Sequence, residues 1–372
     1  MAPRGRDRPC RFTSIPDHPH QTRRCGEAGC GSITPIHFSL SMQELFMAGI
    51  FTTRFSKNRL TTSLLSRSLL AAAGSAFLFS ALLSACGGGG DSGTSNGWSV
   101  DSGGTVKLQF AAYAGSTPIQ CGTAVAGLGS KSSGAQIQDL RFYISNVKLL
   151  KADGSSVALT LSATDNNNYQ GADSVSLITL SQTGVGSCTA GAALNKLIQG
   201  TVPAGQYVGV SMTLGVPFSL NHLNSTDPAT PAVLRSDVNP GMSWNWRGGR
   251  KFTKVELQST DTGSPMTLLH LGSTGCVGDP ANGVAISSCT APNRVPLTFS
   301  SFNPNTQAIA LDVKALFASA DFSVANSCMS SPTDAKCVGP FGVLALNFNS
   351  DGTGTGQPIS GQAQSAFKAV GL

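Results

Sequence analysis

The sequence predicts an all-β fold: an antiparallel β-sandwich or open barrel, stapled by disulfides, with few short helices. Three observations predict this class. Apolar and polar residues alternate in several runs, turn-forming clusters separate those runs, and helical patterns are scarce. The composition agrees, because the chain has 43 Gly and only 12% charged residues, as is common where short strands are joined by tight turns.

The alternation is clearest in four runs. Residues 106–110, 208–214 and 309–313 have the period of a half-buried strand. A run over residues 140–149 changes phase by one residue near Ser145-Asn146, which predicts a β-bulge there. One or two helical turns are expected within residues 190–198, the best helical pattern in this part of the chain.

The N-terminal 85 residues are expected to lie outside the fold. A basic segment at residues 54–67 precedes an apolar run at residues 69–83, a pattern typical of an export signal. The run is short for a membrane span. It ends in Leu83-Ser84-Ala85-Cys86, which resembles the lipobox of bacterial lipoproteins. The resemblance implies a lipid anchor on Cys86, the first residue of the mature protein.

This interpretation divides the chain into four segments. They are a disordered or wrongly assigned extension (residues 1–46), a signal peptide (47–85), a lipidated flexible tether (86–104) and a β domain (105–372). The extension lacks apolar periodicity, so we expect the true start at Met42 or Met47. The last segment is expected to be one domain, because no linker interrupts its strand pattern; two lobes are the alternative.

The charge of the expected mature part gives no reason to predict a nucleic-acid partner. Ten of the 25 Lys and Arg and four of the 19 Asp and Glu precede Cys86, which leaves fifteen of each sign. A formal charge of zero offers no basic surface to phosphate groups. We expect attachment to a membrane by the lipid anchor instead. Gly87 rather than Asp follows Cys86, which favours the outer membrane, facing the periplasm.

Six cysteines follow the expected lipidation site, and an even number in an exported protein indicates three disulfides. They are Cys121, Cys188, Cys276, Cys289, Cys328 and Cys337. Six cysteines permit about 15 pairings. Short separations favour Cys276–Cys289 and Cys328–Cys337, which leaves Cys121–Cys188. The alternative, a thiolate metal cluster, lacks any Cys-x-x-Cys pair.

Residues that could bind a metal are few after Cys86. The only histidines there are His222 and His270. In an extended segment Met242, Trp244 and Trp246 would share one side, because alternate residues point the same way. Imidazole and thioether groups suit copper, whereas hard cations need a carboxylate cluster, for which we find no pattern. A lone histidine is more often structural than a metal ligand, so these residue types alone are weak evidence for a metal site.

Several segments together strengthen the evidence for a metal site, because they recur in the same order in one family. They are residues 140–147, Asn221-His222, Met242 to Trp246, Gly249 to Phe252 and His270 to Cys276. In these segments the chain resembles the MbnP family, named from methanobactin gene clusters and also described as four-Cys "metallo-mystery pair" proteins. The resemblance covers roughly residues 105–349.

The resemblance implies a copper-binding protein whose site is completed by a change to the protein itself. A partner, an MbnH-like dihaem cytochrome peroxidase, oxidises a tryptophan to kynurenine, and copper binding depends on that change. An indole nitrogen only donates hydrogen bonds, whereas kynurenine exposes an aromatic amine with a lone pair. By motif, His222 and His270 would be ligands of Cu(I), and either Trp244 or Trp246 would be the oxidised residue.

The chain departs from the family pattern in two places. It has Gly249-Arg250 where many members have Gly-Tyr, which we expect to alter the rim of the pocket. It also has six cysteines against four, and the extra pair, Cys328 with Cys337, is interpreted as a loop staple. Neither difference affects the expected ligands.

Two functional classes compete with copper binding: a surface binding module and an enzyme. A surface β-sandwich module that binds carbohydrate or protein is the alternative, and it predicts unmodified tryptophans and no metal. An enzyme is not expected. No Gly-x-Ser-x-Gly motif lies on a strand-to-helix turn, as a serine hydrolase of this type needs. Glu256 is the only glutamate after Cys86, whereas a glycosidase needs paired carboxylates.

Overall fold

A computed structural model describes residues 97–189, 193–244 and 248–372. All of them lie in one compact unit, Cys86–Leu372. The expected extension, signal peptide, lipidated Cys86 and most of the tether lie outside the described residues, as does Trp246. None of the helices in the described ranges is long and apolar enough to cross a membrane.

The described residues form many short strands and very little helix. The strands are β1 (Trp98–Val100), β2 (Thr105–Ala114), β3 (Thr117–Pro118), β4 (Val125–Leu128), β5 (Ser133–Leu150), β6 (Ser156–Ala158), β7 (Thr160–Leu161), β8 (Asn168–Gln170), β9 (Ser174–Thr179), β10 (Leu197–Thr201), β11 (Gly205–Tyr207), β12 (Gly209–Leu214), β13 (Thr253–Ser259), β14 (Met266–Leu271), β15 (Thr274–Asp279), β16 (Val284–Ala291), β17 (Val295–Phe299), β18 (Gln307–Asp312), β19 (Asn326–Cys328) and β20 (Phe367–Gly371). The helices are α1 (Phe218–Asn221), α2 (Val313–Leu316) and α3 (Val338–Val343), with 3-10 turns at Ala232–Leu234, Pro280–Asn282 and Ala335–Cys337.

Two large sheets dominate the architecture. One has the order β17-β12-β5-β13-β14-β19 with further strands on β5, and the other has the order β20-β18-β2-β10-β7. Pairing is antiparallel except between β14 and β19 and between β18 and β2. No sheet closes on itself among the described strands. The all-β prediction is confirmed, in its sandwich rather than its barrel form.

The main core lies between the two sheets. Along β2 every second residue is buried, as the alternation of residues 106–110 predicts. Phe142 of β5 packs edge-on against Phe110 of β2 and Phe367 of β20, with ring centroids 5.9 and 5.3 Å apart. The opposing sheets are therefore joined by interleaved apolar side chains, which supply most of the driving force for folding.

A second, smaller core covers the outer face of the larger sheet. It includes Tyr143, Leu177, Leu220, Met242 and Phe252. Some of these come from the sheet and others from the long connection between β12 and β13, which begins after Leu214 and contains α1. Residues on both faces of the middle of β5 are consequently buried, which explains why its burial pattern does not alternate there.

Two local predictions have different outcomes. The bulge is present: the register of β5 with β12 shifts between Ser145 and Lys148, and Asn146 has a φ of 50°. The prediction of a helix within residues 190–198 is wrong for residues 193–198, the part of this range that the structure describes. Leu197 begins strand β10, which pairs with β2 and β7, because sheet pairing outweighs local helix propensity.

Three disulfides are formed: Cys121–Cys188, Cys276–Cys289 and Cys328–Cys337. This is the pairing that the short separations favour. Cys276 and Cys289 face each other across β15 and β16, which form a separate two-stranded hairpin. Cys328–Cys337 is buried and ties the end of β19 to the following 3-10 turn.

Candidate metal centre

His270 lies on β14, on the outer face of the larger sheet, and its side chain is buried. Its Nε2 atom is 2.7 Å from Oε1 of Glu256 on the neighbouring strand β13. The register pairs His270 with Lys254, and Glu256 lies two residues further along the same face. The sheet therefore fixes the imidazole beside a carboxylate.

Glu256 is itself part of a buried chain of charges. Lys254 Nζ lies 3.0 Å from Glu256 Oε1 and 2.6 Å from Asp139 Oδ2. Asp139 also accepts two hydrogen bonds from Arg141, at 2.8 and 2.6 Å. The four charges alternate in sign, so each buried group has a partner, as low-dielectric surroundings require.

The pKa values of the pair follow from these contacts. Burial alone would raise the pKa of Glu256, but hydrogen bonds from His270 and Lys254 outweigh it and lower the pKa to about 2. Burial lowers the pKa of His270, against the opposing effect of its hydrogen bond to Glu256. The lowered pKa of His270 favours the neutral imidazole, the form that binds metals.

His222 follows α1 directly and is that helix's C-terminal cap. Its Nε2 atom lies 3.0 Å from Asn221 Nδ2 and 3.5 Å from Cys289 Sγ. The ring packs edge-on against Phe218, with centroids 5.4 Å apart. These contacts place His222 against the disulfide of the β15–β16 hairpin.

Arg250 holds the segment that carries His222. Its side chain is buried, and its guanidinium donates to the carbonyl oxygens of Leu234, Asn221 and Leu223. Burial lowers its pKa to about 10, so it stays charged. At this departure from the family's Gly-Tyr, Arg250 points inward and braces the loop. The expected effect on the pocket rim stays a prediction.

Trp244 lies against His270, with ring centroids 5.8 Å apart and planes at 72°. Lys251 Nζ lies 5.0 Å from the centre of the indole ring. The indole Nε1 is buried and has no hydrogen-bond partner among the residues that the structure describes. Met242 does not share this environment, because its side chain is buried in the second core.

A cavity of about 420 Å³ opens beside the indole. It is lined by Trp244, Gly248, Ser273 to Cys276 and Met329. Sequence reasoning missed Met329, which directly follows Cys328, the residue that pairs with Leu269 in the parallel register of β19 with β14. Continuing this register by one residue brings Met329 alongside His270. No local pattern in the sequence predicts the pairing of β14 with β19.

A second depression of about 420 Å³ is lined by His222, Phe218 and part of the β15–β16 hairpin. The hairpin therefore lies beside both the cavity and the depression. Cys276 lines the cavity, and Cys289 contacts His222, which lines the depression. The contacts run from His222 through the disulfide to the cavity beside Trp244.

The structure brings Trp244 and His270 together and places His222 at the disulfide. Within the described ranges, three residues of metal-binding type have their ligand atoms within 4.8 Å of one another. They are His222, Cys276 and Cys289. Because both sulfurs belong to a disulfide, the imidazole is the effective donor of that group.

The donors fit copper better than a hard cation. The site offers imidazoles, while the nearby carboxylates of Asp139 and Glu256 are paired with Arg141 and Lys254. Imidazole suits copper, and hard cations prefer several free oxygen ligands. The buried indole nitrogen of Trp244, beside His270, has no hydrogen-bond partner among the described residues.

Comparison with known proteins gives two matches. The sequence model of the MbnP family matches residues 103–330. The solved structure of MbnP from Methylosinus trichosporium is similar, with a TM-score of 0.61 and 29% identity over 72% of this chain and 98% of that one. No curated protein sequence matches the chain.

Proposed function

The chain belongs to the MbnP family, and on that premise we propose that it binds Cu(I) through His222, His270 and a kynurenine made from a tryptophan. The family is associated with copper and with methanobactin gene clusters. The supporting observation is the contact between Trp244 and the buried His270. In this proposal the protein is a metal-binding protein and not an enzyme.

The oxidised residue in this proposal is Trp244. Its ring touches one proposed ligand and lines the cavity, and its buried nitrogen has no partner among the described residues. Oxidation to kynurenine would give this position an aromatic amine and a ketone, and so a lone pair that indole lacks. Trp246 lies outside the described residues and is the alternative that experiment must exclude.

The oxidant belongs to a partner, an MbnH-like dihaem cytochrome peroxidase. Cleavage of the indole C2–C3 bond is a four-electron oxidation that places one oxygen atom on C2 and one on C3. Two molecules of hydrogen peroxide accept those electrons and are reduced to water, and hydrolysis of the resulting formamide releases the C2 carbon as formate. The chain's own role is to hold the indole in place, which the contacts with His270 and Lys251 do. The cavity beside the indole gives small molecules access to it.

The proposal includes a place in the cell. A lipid on Cys86 would hold the domain at the outer membrane, facing the periplasm, where disulfides persist. Labelling with a radioactive fatty acid tests the anchor. Wild-type protein should take up label and Cys86→Ser should not, while label in the serine variant would contradict the assignment.

Copper stoichiometry tests the function itself. We would purify the protein from cells with and without the peroxidase partner and measure bound copper per chain. Wild type from partner-containing cells should bind copper stoichiometrically, and His222→Ala and His270→Ala should each lose it. Gln258→Ala, on the same strand as Glu256, is the control that should keep it. Stoichiometric copper in a variant lacking both histidines would exclude these ligands.

A further inference from the structure

The buried charges around His270 span three neighbouring strands. Asp139 and Arg141 are on β5, Lys254 and Glu256 on β13, and His270 on β14. The register pairs Glu256 with Asp139, and pairs Lys254 with both Arg141 and His270. All five side chains lie on the outer face of the sheet, because their neighbours in sequence fill the main core.

The contact between Glu256 and His270 determines which imidazole nitrogen carries hydrogen. An ionised carboxylate only accepts hydrogen bonds, so at 2.7 Å the imidazole Nε2 must donate. Lys254 donates to the same oxygen, at 3.0 Å, and keeps the carboxylate ionised. In a neutral imidazole whose Nε2 carries the hydrogen, the lone pair is on Nδ1.

The same network also holds the segment that leads to Trp244. Arg141 Nη1 donates to the carbonyl of Pro240 at 2.9 Å. Lys251 donates to the carbonyl of Gly241 at 3.0 Å, and the main-chain nitrogen of Lys251 bonds to the carbonyl of Met242. The network therefore contacts the imidazole through Glu256 and, through Arg141, the main chain at Pro240, shortly before Trp244; Lys251, outside the network, adds two further bonds.

We propose that Glu256 is a positioning residue that fixes His270 as its Nε2–H tautomer and so offers Nδ1 as the ligand atom. Lys254, Asp139 and Arg141 hold Glu256 in place in turn. The tautomer follows from the geometry of this chain without metal. The consequence for copper rests on the proposed function.

Nitrogen NMR on the metal-free, unmodified protein tests the tautomer directly. Two-bond proton–nitrogen correlations distinguish a protonated from an unprotonated imidazole nitrogen. In wild type at neutral pH, His270 should show a protonated Nε2 and an unprotonated Nδ1. A protonated Nδ1 would overturn the proposal, and this result needs no variant to fold and no copper to bind.

Copper affinity of the modified protein tests the consequence. Glu256→Gln keeps the shape but removes the charge, so the tautomer is no longer enforced. Loss of such a partner of a metal ligand lowers affinity about 10–100-fold, which competition with a Cu(I) chelator measures. Unchanged affinity in Glu256→Gln would contradict the proposal.

Asp312→Asn is the matched control. Asp312 is also buried and paired with a lysine, with 2.6 Å between its Oδ2 and Lys368 Nζ, but it lies on the other sheet. The control should change neither the His270 spectrum nor copper affinity. If wild type shows the expected tautomer but binds no copper in any form, the proposed function fails and the positioning role of Glu256 stands.

Discussion

The close approach of Gly272 to Trp244 shows that the position of the indole depends on the absence of a single β-carbon. A β-carbon added at Gly272 would lie 2.7 Å from the carbonyl oxygen of Arg250 and 2.8 Å from Nε1 of Trp244. Glycine is therefore required here by close packing. It lets the Nε1 edge of the indole approach the chain at the end of β14, beside His270.

Gly272→Ala is predicted to destabilise the fold and to displace the indole. Forcing a methyl group into a packed site costs about 1–3 kcal/mol, so urea unfolding should show a lower midpoint. Tryptophan fluorescence should change as Trp244 moves. Gly342→Ala is the control, because a β-carbon there meets nothing within 4 Å. Equal unfolding midpoints for the two variants would contradict the packing argument.

At the scale of elements, the site depends on register between strands that are distant in sequence. Sequence patterns correctly indicate strands over residues 106–110 and 208–214 and the bulge at Ser145-Asn146, because alternation is a local signal. They cannot place Glu256 beside His270, since that contact depends on how β13 and β14 align. For the same reason the inward orientation of Arg250 was not foreseen.

The tautomer-setting network predicts a specific acid response. The pKa of Glu256 is lowered from 4.5 to about 2, so its ionised form stabilises the fold fully above pH 4.5, and this contribution is lost as the pH falls towards 2. The difference in unfolding free energy between wild type and Glu256→Gln should therefore shrink over that interval. Urea unfolding at several pH values measures it, and a constant difference would argue against the ion pairs.

The β15–β16 hairpin is the element most dependent on its disulfide. It forms a sheet of its own, and a two-stranded hairpin is marginally stable in water. Replacing both Cys276 and Cys289 by serine should speed proteolysis within the hairpin by on the order of tenfold while the two large sheets stay intact. Mass spectrometry of the fragments locates the cuts.

The exposed Ser287→Ala, on the same hairpin, is the control and should be cut at the wild-type rate. Wild-type resistance of the double-serine variant would show that strand pairing alone holds the hairpin. His222 would then need no disulfide to keep its place.

At the scale of the whole molecule, the candidate site lies outside the main core. The core between the sheets is apolar, whereas His270 and its charged neighbours occupy the outer face of the larger sheet, beneath the connection that carries His222 and Trp244. The sandwich thus supplies a rigid frame and His270, and the connection between β12 and β13 supplies His222 and Trp244. This division is common in proteins whose loops carry function.

The family motifs were readable from the sequence because they combine rare residues in a fixed order. The motif containing Trp244 and Trp246 cannot distinguish the two indoles as candidates for oxidation, since they are only two positions apart in the sequence. The contact of Trp244 with His270 is the reason that we propose this residue, and such a contact is visible only in three dimensions.

The most direct test of the central claim is mass spectrometry of the peptide Ser236 to Arg247, combined with copper analysis, on protein made together with its peroxidase partner. The account predicts conversion of Trp244 to kynurenine in chains that carry copper, and intact tryptophan without the partner. Unmodified tryptophans and no copper beside an active partner would contradict it.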